Sequence, residues 1–241
     1  TTRSTPVDNQ WINLTWAPEL GLLVAISITG TSSYTSIKEP AIPLTDNTTV
    51  TAVGTYIASA SSVYTTNYAW KAFNGINSSD KWLSSASYTS GTYNSTNSLG
   101  GYIGEWLKLQ LPYSVPLKAI RISTGYLPRS PKDGVIIASN DNTNWSLLYS
   151  FSNQTFARVD EFKYLNINST TEYLYYAIVI NKVNGDSYVD IGEIELVIPE
   201  IVDNIMTSPD GINWTTRVSP ADNVWFNITW APELGLLVAV A

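Results

Sequence analysis

The 241 residues include no histidine and no cysteine, the two residue types on which most catalytic and metal chemistry depends. Carboxylates remain, and a pair of Asp or Glu side chains is sufficient to cleave a glycosidic bond. The spacing of the 20 acidic residues singles out no such pair. We therefore expect a protein that binds or assembles, and not an enzyme.

A second chemical signal is the sequon Asn-x-Ser/Thr, the acceptor of N-linked glycans in secreted proteins. It occurs at nine positions: Asn13, Asn47, Asn77, Asn94, Asn144, Asn153, Asn168, Asn213 and Asn227. With few charged residues and many Ser and Thr, these positions predict a glycosylated extracellular protein, either secreted or on a cell or virion surface. The alternative is that these asparagines are ordinary turn and strand residues.

Net charge and hydropathy exclude two classes of partner. The net charge is −7 and no run of basic residues occurs, so the electrostatic attraction that drives nucleic-acid binding is missing. No stretch of about 18 apolar residues is present, so we expect no membrane span.

The chain contains a long internal repeat. Residues 1–27 and 215–241 align without a gap at an offset of 214 and are identical at 19 of 27 positions. In each copy an alternating segment (WFNITW at 225–230) precedes the turn APELG and an apolar run, a pattern that predicts a β-hairpin. We expect the chain to be one unit of a longer tandem array. Copies of itself, or adjoining repeats, would cover the hairpin edges.

The segment before the second copy reads SPDGINWT at 208–215, in which Asp210 and Gly211 suit a tight turn. It resembles the Asp-box of sialidase-like β-propellers (Ser-x-Asp-x-Gly-x-Thr-Trp). The Gly that this pattern has two residues after the Asp, and its Thr, are absent here. The resemblance implies blade-like strands and a structural turn, without sialidase activity.

The central segment carries a different set of landmarks. In order they are AWKAFNG (69–75), KWLSS (81–85), GEWLKLQLP (104–112), SNDNTNW (139–145) and DIGEIELV (190–197). They resemble a discoidin-like domain of the coagulation-factor C type, also met as a galactose-binding-like carbohydrate module. The resemblance implies a jelly-roll β-sandwich. The alternation in EWLKLQL independently predicts a strand with one buried face.

The fold expected is therefore all-β, a discoidin-like jelly-roll sandwich flanked by blade-like hairpin repeats. Residues 1–45 would form the N-terminal half of a blade-like repeat and a linker. Residues 46–199 would form the sandwich, and 200–241 the Asp-box turn with the next copy of the hairpin.

The discoidin-like resemblance also implies a structural calcium ion. In the family the ion is held by backbone carbonyls and an acid around the motif that appears here as KAFNG, and by the first Glu of the closing EIE strand. The matching residues are Lys71, Asn74 and Glu193. Asn74 stands where the family usually has Asp, which removes one charged ligand, and Asp80 is the candidate to compensate. Alternatively, Asn74 caps its loop by hydrogen bonds and no ion binds.

Family members recognise sugars through loops at one end of the sandwich. The aromatic and cationic residues in the corresponding stretches, and hence the candidate carbohydrate contacts, are Trp82, Tyr88, Tyr102, Tyr126 and Arg129. The alternative for Arg129 is a structural ion pair with Asp133.

Two functions remain open at this point. The first is a structural or adhesive unit of an extracellular fibre, joined through its terminal hairpins by strand complementation. The alternative is a carbohydrate-binding receptor module, from a viral or phage fibre or from a secreted glycan-active enzyme.

Overall fold

The computed structural model describes residues 11–27, 37–40, 42–52, 54–77, 79–198, 205–217 and 227–240. Over these ranges the chain is built from strands, with two short 3₁₀ helices at Ala69–Phe73 and Leu127–Arg129. The described part contains no helix that is long and apolar enough to cross a membrane.

The strands, in chain order, are β1 (Trp11–Ala17), β2 (Leu22–Ser27), β3 (Ile37–Glu39), β4 (Thr48–Thr51), β5 (Gly54–Ala60), β6 (Trp82–Leu83), β7 (Tyr88–Thr89), β8 (Thr92–Tyr93), β9 (Ser98–Leu99), β10 (Tyr102–Ile103), β11 (Glu105–Pro116), β12 (Ala119–Ile122), β13 (Pro131–Ser139), β14 (Ser146–Phe151), β15 (Lys163–Asn166), β16 (Glu172–Val183), β17 (Asp190–Ile191), β18 (Ile194–Ile198), β19 (Ile205–Ser208), β20 (Thr215–Arg217), β21 (Asn227–Ala231) and β22 (Leu236–Val240).

The chain divides into two compact units. Residues 36–199 form one, here called the sandwich unit, and residues 1–35 with 200–241 form the other, here called the hairpin unit. Strand β3 lies in the stretch that we expected to be a linker, but it pairs with β18 and belongs to the sandwich.

Two antiparallel sheets make up the sandwich. The larger has the order β14-β13-β16-β11-β5-β4, with β8 pairing β16 at its side, and the smaller has the order β15-β12-β18-β3. Burial alternates along β11, so that every second side chain from Leu107 to Leu111 enters the core while the others face outward. Residues of both sheets meet in one buried cluster. The predicted all-β class and jelly-roll sandwich are confirmed.

The hairpin unit differs from the predicted joint. Hairpin β1–β2 pairs with β19, and β19 with β20, so the chain itself completes a four-stranded sheet of order β1-β2-β19-β20. The prediction that an outside unit supplies these strands is therefore wrong for the first copy, because the segment after the sandwich returns to that edge. Hairpin β21–β22 forms a separate two-stranded sheet.

The turn at 208–213 has the hydrogen bonds expected of its sequence. The carboxylate of Asp210 accepts the N–H groups of Ile212 and Asn213, each at 2.8 Å. The same network recurs inside the sandwich, where Asp141 accepts the N–H groups of Thr143 and Asn144 at 2.8 and 2.7 Å. A turn that occurs in both units is not diagnostic of a propeller blade.

Candidate functional site

Two loops of the sandwich lie against each other and carry a cluster of aromatic and charged side chains. The first connects β12 to β13 and the second connects β16 to β17. They are joined by backbone hydrogen bonds, in which the N–H of Asn184 donates to the carbonyl of Ser130 at 3.2 Å and that of Asp186 donates to Pro128 at 3.1 Å. The backbone thus fixes the relative position of the loops.

A buried carboxylate anchors the first loop. Asp190 is fully buried, and its Oδ1 accepts hydrogen bonds from the hydroxyl of Thr124 and, at 3.0 Å, from the N–H of Gly125. Its Oδ2 lies 3.2 Å from the ammonium of Lys81. A buried charge is tolerated because it is paired and hydrogen-bonded. The anchor holds the start of the turn that presents Tyr126.

We name the resulting cluster the aromatic–arginine patch; its members are Tyr64, Tyr126, Arg129, Asp186 and Tyr188. The guanidinium of Arg129 lies 5.2 Å from the ring centre of Tyr126 and 4.9 Å from that of Tyr188. Its Nε donates to Asp186 at 3.2 Å. The rings of Tyr64 and Tyr188 meet edge to face at 5.3 Å. Since Tyr64 and Tyr126 are exposed, the patch offers aromatic surface next to an oriented cation.

The turn that carries Arg129 also borders a cleft of about 250 Å³. The cleft is lined by Leu127, Pro128, Ser130, Thr155, Phe156 and Asn184. The volume of the cleft is below the roughly 300–1,000 Å³ that is typical of pockets for drug-sized ligands. The cleft therefore suits a single small ring with polar groups.

Two predicted sugar contacts lie in the core instead. Trp82 is fully buried and its indole N–H donates to the carbonyl of Ser62 at 3.0 Å. Tyr88 is also buried, with its hydroxyl donating to the carbonyl of Ile180 at 2.9 Å. Neither ring can stack on a sugar, so the prediction is wrong for both. Both residues of β6, within the landmark KWLSS, are buried, and this strand pairs with β17.

The three other predicted sugar contacts, Tyr102, Tyr126 and Arg129, lie in two different parts of the sandwich. Tyr126 and Arg129 belong to the patch, whereas Tyr102 packs on the outer face of the larger sheet, near Ile137 and Val179. The suggested ion pair between Arg129 and Asp133 is wrong, since Asp133 pairs with Lys182 at 2.8 Å.

The sequence patterns did not indicate Tyr64, Asp186 or Tyr188 as site residues. Asp186 lies within the turn signal VNGDS at 183–187 and Tyr188 follows it directly, so an acid and an aromatic residue at a loop were the available signal. Tyr64 carried no such signal, because its place depends on contact with Tyr188 from a distant part of the chain.

The predicted calcium residues do come together. The ammonium of Lys71 lies 2.7 Å from Asp80, and the side-chain amide of Asn74 donates to Asp80 at 2.9 Å. Asn74 also caps its loop, since its Oδ1 accepts the N–H of Ile76 at 2.8 Å. Glu193 reaches the same loop by accepting the N–H of Gly75 at 3.1 Å.

These contacts do not fit a calcium ion well. Asp80, the expected compensating ligand, is already neutralised by Lys71, which leaves Glu193 as the one predicted carboxylate without an ion pair among the described residues. No group of three or more acidic side chains close enough to hold a metal occurs in the described part of the chain. Burial raises the pKa of Glu193 from 4.5 to about 8, which favours a protonated carboxyl. Calcium stays a prediction.

The sequons occupy two kinds of environment. Asn13, Asn47 and Asn77 are partly buried, and Asn94, Asn144, Asn153, Asn168, Asn213 and Asn227 are exposed. The amide nitrogen, to which a glycan attaches, donates to Asp141 in Asn144 and to Asp210 in Asn213, each at 2.7 Å. The side-chain amide of Asn13 donates to that of Asn227, the equivalent residue of the other copy. Glycosylation at these positions remains a prediction.

Comparison with known proteins gives matches in solved structures, whereas no protein-family model and no curated protein matches the sequence. One match is a family 32 carbohydrate-binding module of Clostridium perfringens NanJ in complex with galactose, at 18% identity and a TM-score of 0.45, covering 58% of this chain and 92% of that one. Another module from that organism, in complex with GalNAc-β-1,3-galactose, has 16% identity and a TM-score of 0.46, covering 59% and 94%.

A third is chitosan-binding module 1 of a chitosanase/glucanase from Paenibacillus sp. IK-5, at 18% identity and a TM-score of 0.45, covering 62% of this chain and 94% of that one. Such neighbours give no support to sialidase-type repeats beside the sandwich. Because each TM-score is below 0.5, the site described above rests on the geometry of this chain alone.

Proposed function

We propose that the sandwich unit is a carbohydrate-binding module and that the aromatic–arginine patch, with the adjoining cleft, is its sugar site. The observation that carries the proposal is the position of the Arg129 guanidinium over two tyrosine rings, 5.2 Å from the centre of Tyr126 and 4.9 Å from that of Tyr188. Asp186 orients the guanidinium, which carries further N–H donors that suit sugar hydroxyl groups. The exposed ring of Tyr126 suits the apolar face of a sugar.

The proposal favours the second of the two functions predicted from the sequence. It also agrees with an extracellular location, where glycans are abundant. Galactose and GalNAc-β-1,3-galactose, the ligands named for two of the matched modules, are the first sugars to test.

The test is glycan-array screening followed by calorimetry with Arg129→Ala and Tyr126→Ala. We expect each variant to weaken binding by about tenfold or more, since each removes a contact of more than about 1.4 kcal/mol. The matched control is Arg121→Ala. Arg121 also pairs with an acid and lies 4.2 Å from an aromatic ring centre, that of Phe162, but it belongs to strand β12.

Arg121→Ala should leave sugar affinity unchanged. Equal affinity in the wild type, Arg129→Ala and Tyr126→Ala, with all three folded by circular dichroism, would place the sugar site elsewhere.

A further inference from the structure

The two copies of the repeat fold into hairpins with the same register. Thr15 pairs with Val24 in the first, and Thr229 pairs with Val238 in the second. Each hairpin therefore has the same two faces, because side chains opposite each other in an antiparallel pair share a face. The front face contains Thr15, Ala17, Leu22 and Val24 in copy one and Thr229, Ala231, Leu236 and Val238 in copy two. The back face contains Leu14 and Trp16 in copy one and Ile228 and Trp230 in copy two.

Within the hairpin unit, the front of the first copy packs on the back of the second. Val24 and Ile26 form a buried cluster with Ile228. Leu22 of the first copy and Leu237 of the second pack against this cluster. The molecule therefore contains one complete example of a front-to-back contact between repeat copies.

Burial at equivalent positions is reversed between the copies. On the back face, Leu14 is 54% exposed while its counterpart Ile228 is 6% exposed. On the front face, Val24 is 1% exposed while its counterpart Val238 is 42% exposed. Since the hairpins are equivalent, the difference comes from the neighbour that each face has. The described part of the chain thus leaves one back face and one front face with exposed apolar side chains.

We propose that the back face of the first hairpin docks the front face of the second hairpin of another copy of this chain. The contact would repeat the one already formed inside the molecule, which identifies the occupant. Exposed apolar sheet faces are typical of interaction surfaces. In its described residues each chain offers one exposed front face and one exposed back face, so the contact is heterologous and adds chains in a line. It is independent of the sugar site.

The test uses one charged substitution on each face, Leu14→Asp on the back and Val238→Asp on the front. Both side chains are exposed, so each variant should fold normally. By sedimentation velocity, the mean mass of the wild type should rise with concentration. Each variant alone should stay monomeric, with association weakened by about tenfold or more because the joint would bury an unpaired charge.

An equimolar mixture gives the decisive result. Leu14→Asp keeps a working front and Val238→Asp keeps a working back, so the mixture should form one-to-one dimers and nothing larger. The matched control is Val50→Asp, since Val50 is an exposed strand residue of the sandwich unit; it should associate like the wild type. A monomeric wild type at millimolar concentration, a monomeric mixture, or variants that associate like the wild type would each overturn the proposal.

Discussion

The sandwich unit and the hairpin unit use the same alternating strand pattern but differ in how they cover its apolar face. In the sandwich, side chains of both sheets meet in one large buried cluster. In the hairpin unit the buried cluster contains Val24, Ile26 and Ile228, and Leu14 and Trp16 are exposed. An alternating pattern thus predicts that a strand has one apolar face that must be buried. The chain topology decides whether other strands of the same molecule bury it.

The largest effect should come from the closed core of the sandwich. Trp82→Ala removes a fully buried ring and leaves the carbonyl of Ser62 without its indole donor, so we expect a loss of about 3–5 kcal/mol of unfolding free energy in urea. Trp106→Ala is the control, because Trp106 is partly exposed on the outer face and should cost less. Normal stability of Trp82→Ala would contradict the burial of this ring.

The pH dependence of sandwich stability should reflect Glu193. Burial raises its pKa from 4.5 to about 8, so the folded state holds a proton that the unfolded state has already released within this interval. Stability should therefore be full below about pH 4.5, fall by about 1.4 kcal/mol for each pH unit as pH rises towards 8, and level off above. Urea unfolding in EDTA measures this fall, and Glu193→Gln should flatten it.

Repeating that series with calcium chloride tests the predicted ion. Because Asp80 is paired with Lys71, we expect no effect of calcium on the curve. Recovery of stability at high pH in calcium, absent in Glu193→Gln, would instead show that the ionised carboxyl binds the metal, as the family resemblance implies.

The comparison also explains which parts of the structure the sequence could predict. The alternation of apolar and polar residues depends only on neighbouring positions in the sequence. It therefore predicted strand β11, with Leu107 and Leu109 facing inward, and the hairpin at each copy of the repeat. The partner of β2 was not, because β19 lies beyond the whole sandwich in sequence. Contacts between distant parts of the chain also explain why Trp82 and Tyr188 have different environments. Both are aromatic residues near loops, and only the long-range packing decides which of them is buried.

The most direct comparison uses Leu14 and Ile228, which occupy the same position in the two copies of the repeat. One of these two substitutions should have the smallest effect on stability. Ile228→Ala should cost about 2 kcal/mol, the lower end for a buried Ile, because its cluster is small. Leu14→Ala should change stability by less than about 0.5 kcal/mol, because the side chain of Leu14, unlike that of Ile228, is exposed. Hydrogen exchange of the β1, β2, β21 and β22 amides, at a concentration where the chain is monomeric, reports both. At high concentration Leu14→Ala should instead lower protection, since docking would then bury this residue. Equal costs in dilute solution would mean that the two faces have the same surroundings, and the stacking inferred from their difference would be wrong.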